Sequence, residues 1–282
     1  MSAPRSDASG GALVGGDFDG RVAFITGAAH GQGRAVALAL AAQGADIVGF
    51  DVAAKIEYPA YAQGSTAELD SLRAEVEALG QRALTFTGDV RDALAVQAAV
   101  EETVAQFGRI DVLFNNAGIV AYAAADEMTE LEWDTMIDVN LKGPFLVARS
   151  VIPVMKSQGS GVIINNSSVM GLRGGNRLAH YVASKHGLTG LTKAWAIELA
   201  PFGIRVVSIH PTGVDTPMND GLAELEGATA AEIAERSAGN LQPGVPWIET
   251  SDVAELVLYL ASDRARYVTG SQHVVDAGLL TR

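Results

Sequence analysis

The sequence predicts an α/β fold, a single-domain, doubly wound parallel sheet with helices on both faces. Three observations carry this reading. Short apolar runs alternate with helix-periodic segments from Arg21 to Val275. The first run passes at once into a glycine loop and an alanine-rich helix. The chemically distinctive residues Gly33, Asp51, Asp89, Asn116, Ser168 and Thr216 all fall just past the ends of apolar runs. In an open parallel sheet those carboxyl ends form the ligand crevice, and chance matches would not gather on one edge.

Each element follows from its own stretch. Arg21–Thr26 is the first strand, Gly27-Ala-Ala-His-Gly31-Gln-Gly33 the loop, and Arg34–Gln43 the first helix. The glycines permit tight turns and close backbone approach to a pyrophosphate. The helix N-terminus then offers amide donors and a favourable dipole. Strand, loop and helix together open a Rossmann-type unit. The second strand, Asp46–Phe50, ends at Asp51. A carboxylate about 20 residues beyond the glycine loop suits the ribose hydroxyls of NAD and repels the extra phosphate of NADP. No Arg or Lys immediately follows Asp51, which supports NAD.

Residues 53–66 read as a loop containing Tyr58-Pro59-Ala60-Tyr61. Helix periodicity resumes from Thr66 to Leu79, and Arg82–Phe86 is the third strand. Asp89-Val90 lies at its exit, a place suited to an adenine. A helix runs from Asp92 to about Phe107, and Ile110–Phe114 is a buried strand ending in Asn115-Asn-Ala-Gly118. Small residues there admit a cofactor, and an asparagine can tie neighbouring strands together. Glu130 to about Met155 reads as one long helix that holds Asn140 and Pro144. Asn140 competes with backbone hydrogen bonds there; it either distorts the helix and binds a water or simply faces solvent. Gly161–Asn165 is the fifth strand, with Ser167-Ser168 at its exit. Ala179 to about Ala200 is a helix, Ile204–Ile209 the sixth strand, and Gln272–Val275 the last. Residues 212–250 are less regular and are expected to form a lid over a substrate, with Met218 and Trp247 in its apolar lining. Tyr122 and Met170 follow strand exits where a substrate ring would rest.

Bulk properties narrow the function. Hydrophobic residues make up 48% and charged residues 19%, enough for a large core in a soluble domain. A net charge of −13 argues against nucleic acid and anionic membranes as partners. The chain has no cysteine, which excludes disulfides, thiolate nucleophiles and cysteine metal sites. His30, His180, His186, His210 and His273 show no ligand spacing, so no metal is expected. Residues 1–19 are rich in Ser, Gly and Ala and lack an apolar signal core. They read as a flexible tail on a cytoplasmic protein, with the catalytic domain spanning 20–282.

The chemistry centres on Tyr181 and Lys185 in Ala179–His186. Side chains four apart share a helix face. A tyrosine pKa of about 10 is too high for an efficient base near neutrality, and a fixed cation lowers it. The pair therefore suits proton transfer to or from an alcohol oxygen.

With these residues in place the sequence resembles the short-chain dehydrogenase/reductase family over nearly its whole length, from about Gly20 to Gly278. The carrying motifs are Thr26-Gly27-x-x-x-Gly31-x-Gly33, Asp89, Asn115-Asn-Ala-Gly118, Asn140, Ser168, Tyr181-x-x-x-Lys185 and the Pro211 loop. The resemblance implies a catalytic set of Asn140, Ser168, Tyr181 and Lys185. Tyr181 would move the proton and Ser168 would hydrogen-bond the substrate oxygen. Lys185 would lower the Tyr181 pKa and hold the nicotinamide ribose, and Asn140 would hold a water in a proton relay. NAD contacts are implied at Gly27, Gly31, Gln32 and Gly33, and at Asp51, Val52, Asp89 and Val90. Others are implied at Asn116, Ala117 and Gly118, at Tyr181 and Lys185, and at Pro211, Val214 and Thr216. Family members are often tetramers, so a homotetramer is expected, with Glu130–Met155 and Ala179–Ala200 as interface helices.

A narrower resemblance is to the carveol-dehydrogenase-like enzymes of the mycofactocin-associated type. It rests on Gly27–Arg34, Leu178–His186, His210–Met218 and the long Asp51–Asp89 connection, with Gly213 and His30 as departures. It implies a small, apolar, cyclic secondary alcohol as substrate. It also implies tightly bound NAD, covered by that connection, and an external electron acceptor such as mycofactocin. The alternatives are a 3-oxoacyl thioester reductase, disfavoured by the lack of a basic patch after Asp51, and a non-catalytic NAD-binding protein.

Overall fold

The computed structural model describes residues 16–61, 63–237 and 240–281. Seven parallel strands form one sheet in the order β3-β2-β1-β4-β5-β6-β7. They are β1 Val22–Thr26, β2 Asp46–Asp51, β3 Ala83–Thr87, β4 Val112–Asn115, β5 Gly161–Asn166, β6 Ile204–Pro211 and β7 Gln272–Val275. The order reverses between β1 and β4, so the crevice opens where the chain's two halves diverge.

The central strands β1, β2, β4, β5 and β6 bury both faces, which is why they read as continuous apolar runs. On one face Ile25, Ile47, Phe114 and Val207 pack under helices α1 (Gly31–Ala42), α2 (Thr66–Ala78) and the penultimate-strand helix Thr250–Ala261. On the other, Phe24, Val48, Leu113 and Ile163 pack under α3 (Ala93–Phe107) and helices Gly143–Gln158 and Ala179–Leu199. Each such side chain, fully buried, contributes about 1.5–3 kcal/mol. Local signals start the helices where expected. Ser65 and Glu68 form a reciprocal capping box on α2, and Asp92 caps α3 through the amides of Leu94 and Ala95.

Two expectations need correction. The tail does not extend to residue 19: Phe18 is buried, and its amide donates to the Gln43 carbonyl at 3.0 Å. An apolar ring flanked by two aspartates gave no signal of its own. Residues 1–15 lie outside the described residues. The single helix expected from Glu130 to Met155 is interrupted. It consists of α4 (Glu130–Ile137), a π-helical turn (Asp138–Lys142) and α5 (Gly143–Gln158). Pro144 has no N–H to give to the carbonyl four residues back, that of Asn140.

The remaining helices are α6 (Ala179–Leu199), α7 (Pro217–Leu225), α8 (Ala230–Ser237) and α9 (Thr250–Ala261). Helices α7 and α8 lie within the stretch 212–250; Leu222, Ala223 and Ile233 make a small core of their own with Val120, Tyr122 and Trp247. Among the described residues no helix is long and apolar enough to cross a membrane.

Candidate active site

A cleft of about 1010 Å³ opens at the carboxyl ends of β1, β2, β3, β4 and β5. Its floor is built from hydrogen bonds between strand ends. Thr26 Oγ1 accepts from the amides of Asn116 and Ala117, both at 3.0 Å. Asn116 Nδ2 donates to the carbonyls of Thr26 and Gly27, and its Oδ1 accepts from Asn166 Nδ2 at 2.9 Å. Asn166 Nδ2 also donates to Gln32 Oε1 at 2.9 Å. The loop thus hangs from three strands at once. A methyl group on Gly33 would collide with the Gly27 carbonyl and with Asn116, so only glycine lets the loop close onto α1. That cradle leaves bare backbone and a helix N-terminus facing the cleft, which fits a pyrophosphate.

Asp51 is buried at the end of β2. Its carboxylate accepts from the amides of Ala29 at 3.0 Å and Ala53 at 3.1 Å. Each oxygen keeps a lone pair for a ribose hydroxyl. Lys185 is the one lysine or arginine lining the cleft among the described residues, so nothing there neutralises a second phosphate. Asp89 is held by Arg91 through paired bonds of 2.6–3.0 Å. Burial alone would raise its pKa, but the Arg91 bonds outweigh it and leave it lowered.

Helix α6 presents Tyr181 and Lys185 to the same cleft. Lys185 Nζ donates to the Asn166 carbonyl at 2.8 Å and lies 5.6 Å from the Tyr181 ring centroid. Ser168 caps the 3-10 turn Val169–Gly171; its Oγ accepts from the Met170 amide at 3.1 Å and meets the Tyr181 hydroxyl. Asn140 is fully buried on the π-helical turn. Its side chain accepts from the Ile119 amide and donates to the Ile119 carbonyl, both at 2.8 Å, and reaches Ser184 Oγ at 3.3 Å.

One electrostatic expectation is reversed. Burial pushes Tyr181 up to about 12, against a lowering by its bond to Ser168. Burial also brings Lys185 down to about 8. Both groups are desolvated, and for the phenol burial outweighs the influences that lower it.

Gly27, Gly31, Gln32, Asp51, Val52, Asp89, Val90, Asn116, Ala117, Gly118, Tyr181, Lys185 and Thr216 all line the cleft, as the sequence predicts. Gly33 supports it from behind. Pro211 and Val214 do not line it: Pro211 ends β6, and Val214 is a core residue bridged to Ile248. Tyr122 and Met170 lie in a neighbouring cleft with Leu178, Ile233 and Leu279. Among the described residues no cluster of His, Asp or Glu could hold a metal.

The comparisons with known proteins agree with this geometry. The family model described as Enoyl-(Acyl carrier protein) reductase matches residues 27–280. The (-)-trans-carveol dehydrogenase of Rhodococcus erythropolis is 39% identical, over 92% of this chain and 97% of that protein. The chain belongs to the short-chain dehydrogenase/reductase family. It is an enzyme of the oxidoreductase class that this family comprises. The 3-oxoacyl-(acyl-carrier-protein) reductase FabG of Thermotoga maritima is 40% identical, over 93% of this chain and 99% of that protein. The crystal structure of carveol dehydrogenase from Mycobacterium avium in complex with NAD superposes with a TM-score of 0.91 at 40% identity. It covers 95% of this chain and 100% of that one.

The resemblance implies that the Asp51–Asp89 connection covers the cofactor, but the residues that build this wall of the site, apart from Val52, were not singled out. Ile56, Tyr61, Gln63 and Gly64 line the cleft. Tyr61 is buried, and its hydroxyl accepts from the Val120 amide at 3.1 Å. Gly221 of helix α7 packs on the same tyrosine, where a Cβ would come within 2.6 Å of its ring. Tyr58 Oη meets His180 Nε2 at 3.0 Å. Two tyrosines in an irregular loop were the available signal, since aromatic side chains seldom stay in solvent without reason. Asn166 was also missed, although it directly precedes Ser167-Ser168 at a strand exit.

Proposed function

We propose that this chain is an NAD-dependent secondary alcohol dehydrogenase acting on a small, apolar, cyclic alcohol of the monoterpenol kind, such as carveol. The observation that carries this reading is the meeting of Ser168, Tyr181 and Lys185 at one end of a cleft whose β2 exit carries the Asp51 carboxylate. The glycine cradle, the helix N-terminus and Asp51 are the groups that would hold a dinucleotide. When bound, the nicotinamide supplies the hydride acceptor for the carbinol carbon. Ser168 orients the hydroxyl and Tyr181 takes its proton; in carbonyl reduction Tyr181 returns it. At the π-helical turn the Asn140 side chain is committed to Ile119, so a water relay runs through its main-chain carbonyl, which Pro144 cannot bond.

The segment 52–65 supports tight retention of NAD. Its Ile56, Tyr61, Gln63 and Gly64 line the cleft, and it is fastened at Tyr58 and Tyr61, so opening of those bonds would accompany cofactor release. Retained NAD needs an external acceptor to be reoxidised, and mycofactocin is the acceptor proposed by resemblance. The apolar cluster of Leu222, Ile233, Tyr122 and Trp247 supports an apolar substrate beneath a lid spanning about 212–250. Exposed Trp133, Phe145 and Ile197 on α4, α5 and α6 support a homotetramer, for which a cytoplasmic location is proposed.

The 3-oxoacyl thioester reductase remains the second reading because of the 40% identity to FabG. The test uses extensively dialysed protein and carveol, without added nucleotide. A burst of reduced-nicotinamide absorbance matching the enzyme concentration supports retained NAD. Turnover only after NAD is added supports an exchangeable dehydrogenase. Activity confined to acyl thioesters or sugars overturns the proposal.

A further inference from the structure

One buried histidine remains outside the chemistry described so far. His210 sits near the end of β6 with no exposure to solvent. Its Nδ1 lies 2.7 Å from the Ser168 carbonyl oxygen, and its Nε2 lies 2.8 Å from Ser208 Oγ. A carbonyl oxygen only accepts, so Nδ1 must carry the proton. Nε2 is then the acceptor, and the Ser208 hydroxyl donates to it. One tautomer satisfies both ends, and both partners are buried. Burial holds the ring's pKa down at about 4, so it stays neutral with that tautomer across the working range.

What the ring holds is informative. The Ser168 carbonyl also accepts from the Gly171 amide at 2.8 Å, so both its lone pairs are used. Ser168 Oγ accepts from the Met170 amide at 3.1 Å. The backbone before Ser168 is fixed by the Ser167 amide, which donates to the Ile209 carbonyl at 2.9 Å. Ser168 is therefore pinned at its carbonyl, at its hydroxyl oxygen and at the preceding amide. The remaining freedom is the direction of the hydroxyl proton. Of these restraints, the His210 bond is the one that a side chain donates, from 42 residues away in sequence.

We propose that His210 is a positioning residue for Ser168, fixing the peptide plane that aims the Ser168 hydroxyl at the Tyr181 phenol and the substrate oxygen. The inference rests on the reading of Ser168 as the substrate-orienting hydroxyl. Its effect falls on the reacting geometry, because misplacement of about 1 Å costs on the order of 100-fold in rate. The glycine cradle and Asp51, at the exits of β1 and β2, make no bond to His210, so most of the dinucleotide grip is left intact.

Three variants separate this role from simple packing. His210→Phe fills the volume with no donor. His210→Asn puts an amide nitrogen at the place of Nδ1, and His210→Gln puts one at the place of Nε2. With carveol and saturating NAD, His210→Phe and His210→Gln are expected to lose about 10- to 100-fold in kcat. KM and the NAD dissociation constant should stay within about threefold of the parent. His210→Asn should recover kcat to within about threefold of the parent. Equal kcat in the Asn and Gln variants, or a normal His210→Phe enzyme, overturns the inference. Should the Phe variant fail to fold, the Asn and Gln pair still decides. Crystal structures give a substrate-free answer: Ser168 Oγ is displaced in His210→Gln and in place in His210→Asn, or the inference is wrong. Ser168→Ala separates the two levels. An inactive Ser168→Ala with normal His210 variants sinks only the positioning role, whereas a fully active Ser168→Ala sinks both.

Discussion

The two sides of the cleft are held by different means. The glycine-loop side is fixed by strand ends in parallel register, where Thr26, Asn116 and Asn166 bond neighbours delivered by the sheet itself. The opposite wall, residues 52–65 with helix α7, has no sheet register. It depends on tyrosines that reach far in sequence: Tyr58 to His180 and Tyr61 to Val120 and Gly221. The contrast teaches that one side is fixed by the sheet while the other rests on a few separable contacts, which on the proposed reading would govern access and release. Local opening draws on regions of that second kind.

The widest separation between the two sides is expected in pH. Alcohol oxidation needs the Tyr181 phenolate, and burial places that phenol at about 12. Below that value the phenolate fraction rises about tenfold per pH unit, so single-turnover oxidation should climb steadily from pH 6 to 9. Carbonyl reduction uses the phenol and should not climb. Tyr58 and Tyr61 are also pushed up by burial and stay protonated over this interval. Lys185, at about 8, keeps its charge below pH 7, so between pH 6 and 7 the rate of cofactor loss should be flat while oxidation climbs. Parallel pH profiles for oxidation and cofactor release would break the distinction.

Tyr61→Ala removes a buried ring that both the Val120 loop and α7 rest on. A loss of about 3–5 kcal/mol is expected in urea unfolding. Tyr61→Phe keeps the packing and should lose only about 1 kcal/mol. Gly33→Ala strikes the other side. Overpacking against the Gly27 carbonyl should lower stability by about 1–3 kcal/mol and weaken NAD binding, which calorimetry with the apoprotein would read. If Gly33→Ala bound NAD normally, the cradle would not be the pyrophosphate site. The smallest effect is expected from Tyr58→Phe, which removes the hydroxyl on His180. Cofactor release should quicken about fivefold, with the chemical step unchanged.

The fold was legible because buried parallel strands leave unbroken apolar runs, and each run from Arg21 to Val275 became a strand within one or two residues of its expected ends. The cofactor side was legible for the same local reason: Gly33, Asp51 and Asn116 act within a few residues of a strand end. The π-helical turn was only half visible, since Asn140 was compatible with a distortion or with a solvent-facing side chain, and the missing Pro144 donor fixes its place. Phe18, Tyr58 and Tyr61 were not legible, because what they touch lies 25 or more residues away along the chain. The Tyr181 pKa was misjudged for a related reason. Helical spacing brings Lys185 to the same face but gives no measure of burial, and burial decides the sign.

The central claim is that Tyr181 moves the proton in a site that binds NAD independently of it. Its most direct test is stopped-flow formation of reduced nicotinamide in NAD-loaded protein mixed with carveol, in the parent and in Tyr181→Phe. The account predicts equal NAD occupancy in both, and a transient in the variant slowed by about 10²–10⁴-fold. A variant transient as fast as the parent's would contradict it.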